Sequence, residues 1–325
     1  MSVLTHIIDH IHDNLHRHNQ RPLFVALQGP QGSGKTYLTD HIAASLSSSS
    51  LRVATLSIDD LYLPHADLDD LATRYPHNGL LHGRGQPGTH DVAFGFRLLK
   101  SLKTINETGE PTRVPSFDKS LFDGEGDRVP ESQWTTVKGP LDVVLLEGWC
   151  TGFYPQSCQD IETRRTVPPL GLDDIFDITK FSPESVLEVN GLLANYVPWW
   201  DLFDVFVQVR RSSLGLSVLT DVSQQIAPPE SNPYMPIYTW RLQQEHAMKA
   251  KNGGKGMTDE QVKLFIDRYI PGYHFFGDGV TEGGVDPTTG ARLIPPWVQG
   301  STSGGPRMLR VTIGEARELL TTSFR

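Results

Sequence analysis

The chain has 325 residues, 38% of them hydrophobic, with 14 Phe, 9 Tyr and 6 Trp, so it can bury a sizeable core in one α/β domain or two smaller ones. Its net charge of −9 argues against a broad electrostatic grip on nucleic acid or on an anionic membrane, leaving room only for a local basic pocket. Two cysteines, Cys150 and Cys158, make no disulfide framework at this length and point to a reducing, cytoplasmic setting.

In chain order, Leu4, Ile7, Ile8, Ile11 and Leu15 follow helical spacing, so residues 1–20 read as an amphipathic N-terminal helix and not as a signal peptide. The pairs His6/His10 and His12/His16 lack a cysteine or acidic cluster to complete a zinc site and read as a polar helix face. Residues 21–29 read as a buried strand, 35–46 as a helix and 51–58 as a second strand. Residues 59–90 read as surface loop with short helical pieces, followed by a helix over 91–103 and a strand in 112–117. A strong buried strand covers 141–148, a helix 184–196, a strand 202–210, helices 237–250 and 258–270, and a strand 308–313. The segment "GEARELLTTS" reads as a last helix. Residues 151–183 and 277–306 are irregular and rich in Pro, Gly and polar residues, so either reads as a flexible insertion. No run reaches the roughly 18 apolar residues of a membrane span. The alternation predicts an α/β fold with a mainly parallel sheet covered by helices on both faces.

The first strand runs into "GPQGSGKT", residues Gly29, Pro30, Gln31, Gly32, Ser33, Gly34, Lys35 and Thr36. This is G-x-x-x-x-G-K-[ST] in the strand-before, helix-after setting that the motif demands. The glycines allow a tight turn of inward N–H groups, and the helix behind adds its N-terminal dipole. Lys35 can reach the β- and γ-phosphates of a nucleoside triphosphate, and Thr36 can ligate Mg²⁺. Glu147 ends the strand "LDVVLLEG" after four apolar residues, where an acid holds the metal or positions a reacting group. Asp59 and Asp60 end the second strand; strand ends of such a sheet converge on the phosphates, so Asp59 accepts an acceptor's proton or orients its hydroxyl. A guanine-specific N-K-x-D is absent, as is the L-S-G-G-Q of transport ATPases, and "DGEG" follows no apolar strand. A small-molecule phosphotransferase remains, beside an ATP-binding protein that has lost catalysis.

The ordered motifs "GPQGSGKT", "SIDDLYLP", "RGQPGTHD", "PSFDKSLFDGEGDR", "LLEGWCTGF", "VNGLLANY" and "WRLQQEHAMKAKNGGKGMTDEQVKLFIDRYIPGY" resemble those of plant-type D-glycerate 3-kinases and their fungal ATP-dependent kinase relatives. The wider P-loop group holds phosphoribulokinase, uridine kinase and pantothenate kinase. The resemblance implies one P-loop kinase domain over 1–325 that transfers the ATP γ-phosphoryl group to a small-molecule hydroxyl. It implies Lys35 and Asp59 as catalytic residues, Asp59 as base, Thr36 and Glu147 at the metal, and a helical lid over 235–257. Arg241 and Lys249 are its candidate nucleotide cations. The alternative acceptors are a nucleoside, pantothenate or a sugar phosphate.

Glycerate is an anionic hydroxy acid, so a pocket for it beside ATP needs cations and dipoles. The acceptor loops over 59–135 offer Arg84, His90, Lys119 and Arg128. Asp118 either accepts from a substrate hydroxyl or pairs with Lys119 or Arg128. Asp91 reads equally as an N-cap. Trp149 is pocket wall or core, and "GGKG" at 253–256 is a candidate hinge.

Overall fold

The computed structural model describes residues 2–169, 172, 176–211, 234–251, 253–254, 256–299 and 305–325. In chain order the elements that position the site are α1 (Val3–Arg17), β1 (Leu23–Gln28), α2 (Lys35–Ser48), β2 (Val53–Ser57), α3 (His65–Arg74), α4 (Val92–Lys103), β3 (Phe117–Asp118) and β4 (Asp127–Arg128). They continue with β5 (Val143–Gly148), α5 (Cys158–Thr166), α6 (Pro183–Leu193), β6 (Val205–Arg211), α7 (Met235–Lys251), α8 (Asp259–Asp267), α9 (Ile270–Phe276), β7 (Met308–Ile313) and β8 (Leu319–Phe324).

Six strands form one sheet in the order β2-β5-β1-β6-β7-β8. The first five pair in parallel and β8 is antiparallel to β7. Side chains alternate across a strand, so one strand feeds two cores. Leu23, Val25 and Leu27 of β1 join Ile7, Ile11, Leu38 and Ile42 under α1 and α2. Phe24 and Ala26 join Leu98, Leu99, Val186 and Val189 under α4 and α6. Both faces of β1 and β5 are buried, which is why they read as unbroken apolar runs. No helix among the described residues is long and apolar enough to cross a membrane.

Four expectations are corrected. The segment 314–323 is not a helix. A turn at 315–317 leads into β8, because pairing along β7 outweighs the helix propensity of Glu, Ala, Arg and Leu. The stretch 59–90 is not mainly surface loop. It holds the ten-residue α3, and Leu61, Tyr62, Leu68, Leu71, Leu80 and Leu81 are buried. The irregular stretches are packed where they are described. Arg164 of α5 donates to His274 O at 2.9 Å, and Trp297 stacks on Phe206 with ring centroids 4.1 Å apart. Residues 170–171, 173–175 and 300–304 of those stretches lie outside the described residues. Finally, His10 is not on a polar face. It is buried, and its neighbour Asn14 donates to Pro306 O at 3.3 Å.

Candidate active site

The carboxyl ends of β1, β2 and β5 meet at one edge. Leu27 and Ser57 both lie in register with Glu147. The P-loop continues from β1, the turn Ile58–Leu61 from β2, and Trp149 from β5. Lys35 opens α2 with Gly34 before it at φ 89°, a left-handed conformation that glycine adopts without strain. Its ammonium is buried and donates to Pro30 O at 3.1 Å. Burial pushes the Lys35 pKa down against the opposing charges of Glu147 and Asp59. Thr36 is exposed at the same helix start.

Glu147 is buried and accepts from the Ser57 hydroxyl at 2.9 Å. Burial pushes its carboxyl up, and the Lys35 charge offsets this only in part. Asp59 accepts from the Lys119 ammonium at 2.6 Å. Burial alone would raise the Asp59 carboxyl. The Lys119 charge and hydrogen bond, with Lys35 behind them, outweigh burial and hold it below the ordinary carboxylate range. Asp60 faces elsewhere and accepts from Phe117 N at 3.0 Å, which pins the acceptor hairpin to the β2 end.

That hairpin is β3 and β4, with Phe117 opposite Arg128. Its tip holds Lys119, which crosses to Asp59. A Cβ on Gly126 (φ 82°) would lie 2.3 Å from the Phe117 ring, so only glycine closes the tip. Arg84 donates to Gly124 O at 2.6 Å and also to Glu125 O. His65 holds the outer side, its Nε2 donating to the Glu125 carboxylate at 2.6 Å and its backbone N–H donating to Asp127 at 2.9 Å.

A cavity of about 1050 Å³ borders the P-loop. Gln31 to Leu38 form one wall, Gln243, Gln244 and Ala247 of α7 another, and Ile313 and Arg317–Leu319 a third. Ser2, Val3 and Leu4 complete it. This is room for the base and sugar of a nucleotide whose phosphates lie on the P-loop.

Comparison with known proteins fits this geometry. The chain is 37% identical over 263 residues to the probable ATP-dependent kinase TDA10 of Saccharomyces cerevisiae, spanning 79% of each chain. It is 34% identical over 281 residues to the kinase mug58 of Schizosaccharomyces pombe, spanning 85% of this chain and 90% of that one. The chain belongs to the family of ATP-dependent kinases that these two proteins represent. Chloroplastic D-glycerate 3-kinase of Arabidopsis thaliana is 32% identical over 253 residues, 78% of this chain and 47% of that one. A D-glycerate 3-kinase from Cryptococcus neoformans var. grubii superposes with a TM-score of 0.80 at 35% identity over the whole of both chains. No family model matches the chain. This glycerate kinase-like protein is therefore a phosphotransferase that uses ATP and a hydroxyl acceptor.

In this kinase the sequence-predicted residues fall into two groups. Lys35, Glu147, Asp59 and Lys119 come together at the strand ends. The others are engaged nearby. Arg128 donates to Tyr62 O at 2.7 Å and pairs with Asp91 at 3.3 Å, while Asp91 caps α4 by accepting from Phe94 N. Asp118 accepts from Ser120 N and Oγ, so it shapes the turn and pairs with neither Lys119 nor Arg128. Arg241 pairs along its own helix with Glu245 at 2.8 Å. Lys249, half-buried, accepts the Gly254 N–H on its backbone oxygen at 2.8 Å. Glu245 also accepts from Met257 N, which ties the candidate hinge back to α7; Lys255 lies outside the described residues.

Three residues escaped sequence reasoning. Trp240 packs against Gly32, where an added Cβ would lie 2.6 Å from Trp240 Cβ. Arg317 donates to Gly32 O at 2.9 Å and lies over the Trp240 ring. Tyr269 is buried edge-on to Trp149, within the fields of Asp59, Arg84 and Lys119. Burial pushes its phenol up and keeps it a donor. The quoted "RYIPGY" was the one available signal for Tyr269.

Proposed function

We propose that this kinase transfers the γ-phosphoryl group of Mg²⁺-ATP to the 3-hydroxyl of D-glycerate, in the cytoplasm. The observation that carries the reading is the Lys119–Asp59 pair, 2.6 Å apart beside Lys35 and Glu147. An acceptor that brings both a carboxylate and a hydroxyl can satisfy both members at once. Lys119 turns to the acceptor carboxylate, and Asp59 takes the hydroxyl proton. The acceptor oxygen then bonds to the γ-phosphorus as the bond to the β-phosphate oxygen breaks, and ADP leaves with that electron pair. Lys35 binds the phosphates and steadies their developing charge. Family relatives named D-glycerate 3-kinase support the choice of acceptor. Both cysteines are free, which fits a reducing compartment.

The Thr36 hydroxyl and the Glu147 carboxylate are hard oxygen donors that fit Mg²⁺. Glu147 is a buried carboxylate only partly compensated by Lys35, which a divalent cation would stabilise. Bound there, Mg²⁺ neutralises phosphate charge.

ADP release is to be measured with D-glycerate, uridine, pantothenate and ribulose 5-phosphate. The expected result is stimulation by glycerate alone. Stimulation by another acceptor and none by glycerate rejects the substrate and leaves the kinase intact.

A further inference from the structure

His90 sits in the wall behind Asp59 and has a chemistry of its own. The backbone pairs Leu63 N with Thr89 O at 3.0 Å and Asp91 N with Leu61 O at 2.8 Å. These bonds fasten His90 beside the turn that carries Asp59. Its ring is stacked on Tyr62 at 4.2 Å and meets Tyr196 edge-on. The side chain is only 3% exposed.

The hydrogen-bond partners favour one tautomer, in which every polar hydrogen of the Gly88–Tyr196–His90 chain up to Nδ1 finds an acceptor. Gly88 N–H donates to the Tyr196 hydroxyl oxygen at 2.8 Å. The Tyr196 proton is thereby left for its second neighbour, His90 Nδ1, also at 2.8 Å. Burial pushes the His90 pKa down to about 3, so the ring is neutral near pH 7. A neutral imidazole that accepts at Nδ1 carries its proton on Nε2. That Nε2 is buried and has no hydrogen-bond partner. Among the described residues, Asp59 is the charged group whose field bears on the ring, while Tyr62 and Tyr196 are titratable groups packed against it. A buried donor without a partner is costly and calls for an explanation.

We propose that His90 is a positioning residue that takes hold of Asp59 through Nε2–H when Lys119 turns from Asp59 to the acceptor. The inference rests on the reading of Asp59 as the base. Asp59 has one strong partner, Lys119, and that partner is the group an anionic acceptor recruits. Without a second donor the carboxylate would be free to rotate at the moment it must face the hydroxyl. The chain Gly88–Tyr196–His90 supplies a donor whose direction is set by the backbone. Because the donor is uncharged, it holds the carboxylate without a second full cation to compete for the acceptor.

The test uses the whole enzyme with ATP and D-glycerate. His90→Leu is expected to lower kcat about tenfold or more, the scale of one hydrogen bond to a charged group. The KM values for ATP and glycerate should stay within about twofold, since the buried ring acts through Asp59. His90→Gln keeps an N–H near the Nε2 position and should recover most of the loss. Nitrogen-15 NMR of the wild-type histidines should show the His90 proton on Nε2. In Tyr196→Phe it should redistribute towards Nδ1, with kcat falling. A proton on Nδ1 in the wild type overturns the proposal, even if the variants fail to fold. So does a folded His90→Leu with unchanged kcat, or a loss that Gln does not rescue. If glycerate is not turned over at all, the functional reading falls first and this assignment falls with it.

Discussion

Lys119 and Asp59 hold each other in check. The ammonium keeps the carboxylate ionised, and the carboxylate in turn raises the lysine's pKa. Lys119→Met should therefore have two effects. The KM for glycerate should rise by roughly 10- to 100-fold, the scale of a charge-assisted contact. The acid limb of kcat against pH should also move up, because the largest charge opposing burial at Asp59 is then gone. Activity would fall more at pH 5.5 than at pH 8. Equal losses at both pH values would show that Lys119 does not tune Asp59. The sequence exposed Asp59, Lys35 and Glu147 because each ends or follows an apolar strand. Lys119 was legible only as a cation in a charged loop, and its partner only in three dimensions. Arg128 looked equally available, yet its guanidinium is spent on Asp91 and the Tyr62 carbonyl.

Among the elements, strands with two buried faces were the most legible, since β1 and β5 carry continuous apolar runs. The C-terminal hairpin was the least, because β8 gains its conformation from pairing with β7 and its residues favour a helix in isolation. That error also concealed Arg317. Held at φ 64° in the turn, it bridges the hairpin to the P-loop through Gly32 O and stacks on Trp240 of α7. Arg317→Ala should loosen the P-loop and raise the KM for ATP severalfold, leaving the KM for glycerate unchanged. Titration of ATP binding checks this directly. A change confined to glycerate would sever the hairpin from the nucleotide site.

At the scale of the whole molecule, buried histidines make stability depend on pH, His10 and His90 most strongly. Burial lowers His10 to about 4 and His90 to about 3, against 6.5 in the unfolded chain. Between those values the unfolded state binds more protons, so stability is full above pH 6.5 and falls as the pH drops towards 3. Each histidine contributes about 1.4 kcal/mol per pH unit once well below 6.5. The urea midpoint should fall from pH 7 to pH 5, and His10→Leu should flatten that fall. A midpoint that rises on acidification would contradict the assignment. His10 also shows why the helix pattern alone misread this face: the partners of α1 at 306–307 lie nearly 300 residues away.

The cavity beside the P-loop takes its walls from segments far apart in sequence, Ser2 to Leu4 and Ile313 to Leu319 as well as Gln31 to Leu38. Its shape therefore exists only once these segments have packed together. A nucleotide that fits the cavity binds the folded chain alone, so ATP is expected to raise the urea midpoint of unfolding, and an unchanged midpoint would place the nucleotide elsewhere.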